Sequence, residues 1–423
     1  MKYVVRPSAL GGAVNMPGSK SHTIRALVFG LLGNGRSVIE RPLVSSDTRS
    51  CMDMVRAFGA RVDEAEGAWQ VTGTAGKPAV PENVVDVGNS GTSLYIGLGI
   101  AALADGATVF TGDHQIRSRP AGGLIRCINQ LGGTAFSTRG NDMPPVVVRG
   151  KIQGGSTEIS AVTSQYLTSL LIAAPLAERD TRITVPLLNE KPYVTMTLGW
   201  LDRLGIRYVN NDYESFDIPG GQGYPAFKEP IAADFSSATF FLVAAAVTGS
   251  TVTLKGLDWG DTQGDREAVT ILKQMGAVIE IGEREILVKG GTLRGGTFDL
   301  NAMPDALPAL SVAACFAEGE TRLVNVPQAR LKETDRIAVM RAELGKMGAD
   351  IRELPDGLVI RPSALRGGAV IGHHDHRVVM ALAVAGLAAG GETVIETAEA
   401  VSVTFPDFRT LMLSIGADIT ETE

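Results

Sequence analysis

The chain has 423 residues, enough for two hydrophobic cores, and 46 acidic against 39 basic side chains give it a formal charge of −7. No long basic run offsets that charge, which excludes a general nucleic-acid binder or a protein that docks on acidic membranes. Cys51, Cys127 and Cys315 are scattered through predicted helices without a Cys-x-x-Cys spacing and read as reduced core thiols of a cytoplasmic protein.

In chain order, residues 1–7 alternate like a strand and lack the apolar stretch of a signal peptide. A pattern then recurs six times. Each unit opens with a helix that is apolar on nearly every face, as over 94–104, 166–177, 240–247 and 378–389. A helix without a polar face must be buried on all sides, and these runs are shorter than the roughly 20 residues that a bilayer requires. A short glycine-led strand such as Gly249-Ser250-Thr251-Val252 or Gly391-Glu392-Thr393-Val394 follows. A second helix with one polar face comes next, as over 266–275 or 336–347, and ends in an apolar-Gly pair. The closing glycines Gly59, Gly132, Gly205, Gly276, Gly348 and Gly416 stand about 70 residues apart, so each unit is a small α/β layer. Six units divide into three and three, which predicts an α/β (α+β) chain of two similar domains, each with three buried helices enclosed by three sheets. If the buried helices run parallel, their amino termini meet at one end, where free N–H groups and helix dipoles favour anions. The predicted hinge lies near Lys228-Glu229-Pro230, with a second crossing near Met16-Pro17-Gly18.

Polar residues concentrate just ahead of the helices: Gly18-Ser19-Lys20-Ser21, Gly88-Asn89-Ser90-Gly91-Thr92, Arg117-Ser118-Arg119, Thr163-Ser164-Gln165, Pro304-Asp305, Lys332-Glu333-Thr334-Asp335-Arg336 and His374-Asp375-His376-Arg377. Each has a plain reading as a helix cap. Capping does not account for Lys20, Arg119, Lys332, Arg336 and Arg377, which stand at the positive ends of helix dipoles; a multiply anionic ligand would resolve that conflict. Asp305 and Glu333 are the candidates for proton transfer, with a cap on the following helix as the other reading of Asp305. Gly97-Leu98-Gly99 lies inside an apolar helix and is no dinucleotide fingerprint, and Gly18-Ser19-Lys20-Ser21 lacks the spacing of a P-loop. His373-His374-Asp375-His376 has no obvious further ligands for a metal.

Residues 17–25, the Gly88 to Thr92 loop, residues 117–120, Ser164-Gln165, Asp234-Phe235-Ser236-Ser237-Ala238, residues 331–336, Asp375-His376-Arg377 and Thr404-Phe405-Pro406-Asp407 closely resemble the enolpyruvylshikimate-phosphate synthase family, over essentially the whole chain. The resemblance implies an inside-out barrel of two domains, residues 1–18 with 231–423 and residues 19–230, and an active site in the cleft between them. It implies transfer of the carboxyvinyl group of phosphoenolpyruvate to the 5-hydroxyl of shikimate-3-phosphate by a cytoplasmic monomer without metal or organic cofactor. Neither nucleic acid nor membrane is implied as a partner. Lys20, Gly91, Arg119, Gln165, Arg336 and Arg377 would hold phosphoenolpyruvate. Ser21, Arg25, Thr163, Ser164, Gln165, Tyr193, Asp305, Gln328 and Lys332 would hold shikimate-3-phosphate, with Lys20, Asp305 and Glu333 catalytic. The chain departs from the family's pattern at Val403, where many members carry lysine, and at Tyr95-Ile96, which replace an Arg-Pro pair. Thr163, Glu190 and Gln328 replace the usual Ser, Ser and Asn. A carboxylate at 190 should repel a phosphate unless it is paired or turned away. The sister transferase acting on UDP-N-acetylglucosamine and a noncatalytic metabolite-binding homologue are the alternatives.

Overall fold

The structure is a computed structural model that describes residues 1–423, and it divides into two compact units. Unit 1 comprises Met1–Pro17 with Ala232–Glu423, and unit 2 comprises Gly18–Ile231. Unit 2 contains helices α1 (Lys20–Leu32), α2 (Ser46–Ala57), α3 (Gly91–Ala101), α4 (Gly122–Gln130), α5 (Ser164–Ala173) and α6 (Lys191–Arg203). Unit 1 contains α7 (Phe235–Val247), α8 (Glu267–Met275), α9 (Leu307–Cys315), α10 (Arg336–Lys346), α11 (His376–Ala388) and α12 (Phe408–Ser414).

The odd-numbered helices are the buried ones. All residues of α3 and α9 are buried, as are those of α7 from Phe235 to Ala246, because no polar face exists to turn outward. In unit 1, α7, α9 and α11 pack against one another; in unit 2, α3 packs along α5. The even-numbered helices bury one stripe, as α4 does with Leu124, Ile125, Cys127 and Ile128.

Each unit has three four-stranded sheets of one design. Around α3, α5, α9 and α11 the strand before the buried helix pairs parallel with the strand after it, and two antiparallel strands complete each sheet. Gly155–Ala161, α5 and Thr181–Leu188 illustrate the crossover. Three of the edge and inner strands are supplied from far along the chain. Lys228–Pro230 completes the sheet of Arg36–Glu40, and Gly11–Asn15 pairs parallel with Thr251–Lys255. Lys2–Arg6 inserts between Thr393–Glu396 and Asp418–Thr422. No helix is long and apolar enough to cross a membrane. Trp69 and Trp200 are core residues; Trp200 stacks on Phe29 and donates its indole N–H to His22 Nδ1 at 3.0 Å.

Candidate active site

In unit 2 the starts of the buried helices are tied to one another. Gln165 on α5 donates to Thr92 Oγ1 on α3 at 2.7 Å, and Arg25 on α1 reaches Thr168 Oγ1 on α5 at 3.5 Å. The amino-terminal turns of α1, α3 and α5 therefore gather at one end, as parallel buried helices require. Ser19 and Ser90 cap α1 and α3. Lys20 donates to Asp47 Oδ2 at 3.0 Å, and Asp47 is itself buried in the first turn of α2 behind the Ser45–Thr48 capping box. Arg119 is buried, and its guanidinium lies against the position that a Cβ on residue 91 would take, so any larger residue there would have to displace that side chain. The backbone ahead of α4 is pinned by Tyr95 and Tyr166, whose hydroxyls both donate to Pro120 O, at 2.8 and 2.5 Å.

Arg25 is 2% exposed and makes four contacts, to Thr197 Oγ1, Thr168 Oγ1, Ser21 O and Tyr193 O. None is a carboxylate, and burial pulls its pKa down to about 10 against a smaller opposing effect of Tyr193. Glu190 is 2% exposed and adopts a left-handed conformation, φ 57°, that costs a non-glycine residue about 1 kcal/mol. Its Oε2 accepts from Ser164 Oγ at 2.7 Å, from the Ser164 N–H at 3.1 Å and from Thr163 Oγ1 at 3.3 Å. The carboxylate at 190 is thus paired.

In unit 1 the starts of α9, α10 and α11 meet around Arg336, which is 1% exposed. Its Nε and Nη2 donate to Asp375 at 2.8 and 3.2 Å, Nη1 donates to Asp305 Oδ1 at 2.8 Å, and Nη2 also reaches Glu333 Oε2. Burial by itself would lower the pKa of this guanidinium, but Asp375, Glu333 and Asp305 outweigh it and raise the pKa, so the cation is permanent. Arg377 Nη2 lies 2.7 Å from Asp305 Oδ2, which places Asp305 between two guanidiniums. Asp375 is fully buried and also accepts from Thr334 Oγ1 and the Arg377 N–H, at 3.0 and 2.9 Å. Gln328 is buried and donates to Asn301 O at 3.0 Å, and Lys332 follows the 3-10 turn Pro327–Leu331.

Glu343 secures the turn that delivers Asp375. It accepts from both Lys346 Nζ and the Ile371 N–H and lies 2.8 Å from His373 Nε2. His373 and His374 both have φ of 54°, a left-handed pair that surrounding contacts must hold. Burial raises the Glu343 pKa, but His373, Lys346 and the Ile371 N–H together hold it below the ordinary carboxylate range. This contribution to stability is complete above the unfolded-state pKa of about 4.3 and is lost as pH falls through the lower folded-state value. Glu343→Gln is expected to be clearly less stable than wild type at neutral pH, with the gap narrowing below about pH 4. Urea unfolding at both pH values checks this, and a gap independent of pH would refute it.

The model of the EPSP synthase (3-phosphoshikimate 1-carboxyvinyltransferase) family matches residues 4–412. The chain belongs to the EPSP synthase family. It is 56% identical over 423 residues to a 3-phosphoshikimate 1-carboxyvinyltransferase of Acetivibrio thermocellus, with all of both chains covered. It is 44% identical over 419 residues to one of Methanocella arvoryzae, covering 98% of this chain and 99% of that relative. An EPSP synthase structure from Acinetobacter baumannii superposes with a TM-score of 0.82 at 28% identity, covering 99% of this chain and 100% of that one.

Against the EPSP synthase pattern, the structure gathers Lys20, Ser21, Arg25, Gly91, Arg119, Thr163, Ser164, Gln165 and Tyr193 in unit 2, all in or beside helix starts. Asp305, Gln328, Lys332, Glu333, Arg336 and Arg377 lie in unit 1. Lys20, Arg336 and Arg377 each have a carboxylate of the protein as partner. Asp305 is not the cap of α9, which starts without a side-chain cap; it faces the guanidiniums. Asp47 and Glu343 escaped the sequence reading. Nothing sets Asp47 apart from any acid in a first helical turn. Glu343 did carry a signal, since it falls on the stripe of Arg336, Met340 and Leu344 that α10 buries.

Proposed function

We infer that the chain catalyses transfer of the carboxyvinyl group of phosphoenolpyruvate to the 5-hydroxyl of shikimate-3-phosphate, releasing phosphate, in the pathway to aromatic amino acids. The observation that carries this reading is the Arg336 cluster, in which two carboxylates suited to proton transfer, Asp305 and Glu333, are held on one buried guanidinium. A fixed guanidinium orients both acids without costing reorganisation during the reaction.

In the first half-reaction the 5-hydroxyl oxygen bonds to C2 of phosphoenolpyruvate. Asp305 takes the hydroxyl proton, and Glu333 in its acid form protonates C3, which becomes a methyl group. In the second half, the Glu333 carboxylate removes a methyl proton, the carbon–carbon double bond re-forms, and the C2–O bond to phosphate breaks. The proton held by Asp305 leaves with the phosphate, so each group returns to its starting state. Lys20, Arg119, Gln165, the Gly91 backbone, Arg336 and Arg377 are assigned to phosphoenolpyruvate. Four of the five Arg336 N–H groups are already engaged, so its part is mainly to hold the acids. Ser21, Arg25, Thr163, Ser164, Gln165, Tyr193, Asp305, Gln328 and Lys332 are assigned to shikimate-3-phosphate. The reading includes a domain division at 1–18 with 231–423 and at 19–230, and a cytoplasmic monomer. Three buried free cysteines suit a reducing compartment.

Phosphate release from phosphoenolpyruvate is the test, with shikimate-3-phosphate and UDP-N-acetylglucosamine offered separately as acceptors. Release with the shikimate acceptor alone is the expected result; release with UDP-N-acetylglucosamine alone would overturn the assignment.

A further inference from the structure

Glu190 has no part in the bond-making steps, yet it is buried at the start of α6 and engages the donors that open α5. A hydroxyl has one proton to give. While Oε2 of Glu190 holds the protons of Ser164 Oγ and Thr163 Oγ1, those oxygens present only lone pairs to any other group, and the Ser164 N–H is engaged as well. In this arrangement none of these three donors is available to a phosphate.

Arg25 supplies a second, independent observation. It lies beside α5 one turn further on, with its guanidinium buried and all four of its partners neutral. A buried cation without a carboxylate partner is poorly compensated unless an anion binds beside it. The first turn of α6 links it to Glu190, because Tyr193 offers its carbonyl to Arg25 and its N–H to Glu190 O at 3.0 Å.

We propose that Glu190 is a resident stand-in for the phosphate of the phosphorylated acceptor: it occupies the donors at the start of α5 in the unliganded protein and must release them when the acceptor binds. Glu190 thereby weakens the hold on the acceptor by competition and keeps free inorganic phosphate from resting at the same place. The inference rests on the assignment of Thr163, Ser164 and Arg25 to shikimate-3-phosphate. A side chain that merely positioned Ser164 would have the opposite effect when changed, since the affinity would fall with its loss.

The test compares wild type with Glu190→Gln, which keeps the shape without the charge, and Glu190→Asn, a shorter side chain that tolerates the left-handed conformation. In both variants the KM for shikimate-3-phosphate is expected to fall about tenfold, the scale of one charge-assisted hydrogen bond regained, with the KM for phosphoenolpyruvate within about twofold. Inorganic phosphate, titrated calorimetrically without turnover, should bind about tenfold more tightly to Glu190→Gln than to wild type. An unchanged or raised KM for shikimate-3-phosphate, or unchanged phosphate binding, in a variant of wild-type thermal stability would overturn the proposal. A wild-type protein inactive with shikimate-3-phosphate would instead defeat the functional reading beneath it.

Discussion

Arg336→Met is expected to destabilise the protein by about 3–5 kcal/mol and to abolish measurable turnover, because it removes the guanidinium that Asp375 and Glu333 share and one of the two that flank Asp305. Asp375 is fully buried, and the Glu333 and Asp305 side chains are only 9% and 17% exposed, so water can compensate only part of the loss. Methionine roughly preserves the volume, which separates loss of charge from creation of a cavity. Arg336→Lys is expected to recover only part of the stability, since one ammonium cannot span carboxylates that three guanidinium nitrogens now divide. Urea unfolding with an unchanged m-value reads the stability, and phosphate release reads the turnover. A Met variant within about 1 kcal/mol of wild type would contradict the cluster's structural role.

Glu333→Gln is expected to lower kcat by about 10²- to 10⁴-fold while leaving substrate binding within severalfold and the fold intact. The amide retains an oxygen for the Arg336 Nη2 donor, so the guanidinium keeps a partner there. It can neither give a proton to C3 nor take one back. Rapid-quench kinetics and binding titration on the same preparation separate these two effects. A kcat within about tenfold of wild type would remove Glu333 from the proton transfers.

The architecture was legible because burial left a crude mark. Helices such as α7 and α9 have no face that tolerates water, and glycine-led strands follow them at a regular interval. The long-range closures had no such mark. Nothing in the alternation of Lys2–Arg6 selects Thr393–Glu396 and Asp418–Thr422 as its neighbours, since register between distant strands depends on tertiary packing.

The candidate site was legible as a set of helix starts but not as a set of pairs. Residue type and position revealed Lys20, Arg119 and Arg336 as cations in unfavourable places. Their partners come from other helices, as Asp47 at the start of α2 does for Lys20 and Asp375 ahead of α11 for Arg336, and no local spacing announces a contact across 27 or 39 residues. Glu190 shows the same limit. Its sequence position suggested repulsion of a phosphate unless it were paired, and the pairing, by three donors from the start of α5, is visible only in the structure.

The most direct test of carboxyvinyl transfer uses phosphoenolpyruvate labelled with oxygen-18 in its C–O–P bridge, with shikimate-3-phosphate as acceptor. Addition to C2 followed by elimination breaks the carbon–oxygen bond, so mass spectrometry should find the label in the released phosphate and none in the three-carbon unit of the product. Label retained by the three-carbon unit would mean that the phosphorus–oxygen bond breaks instead, and would contradict the mechanism at its central step.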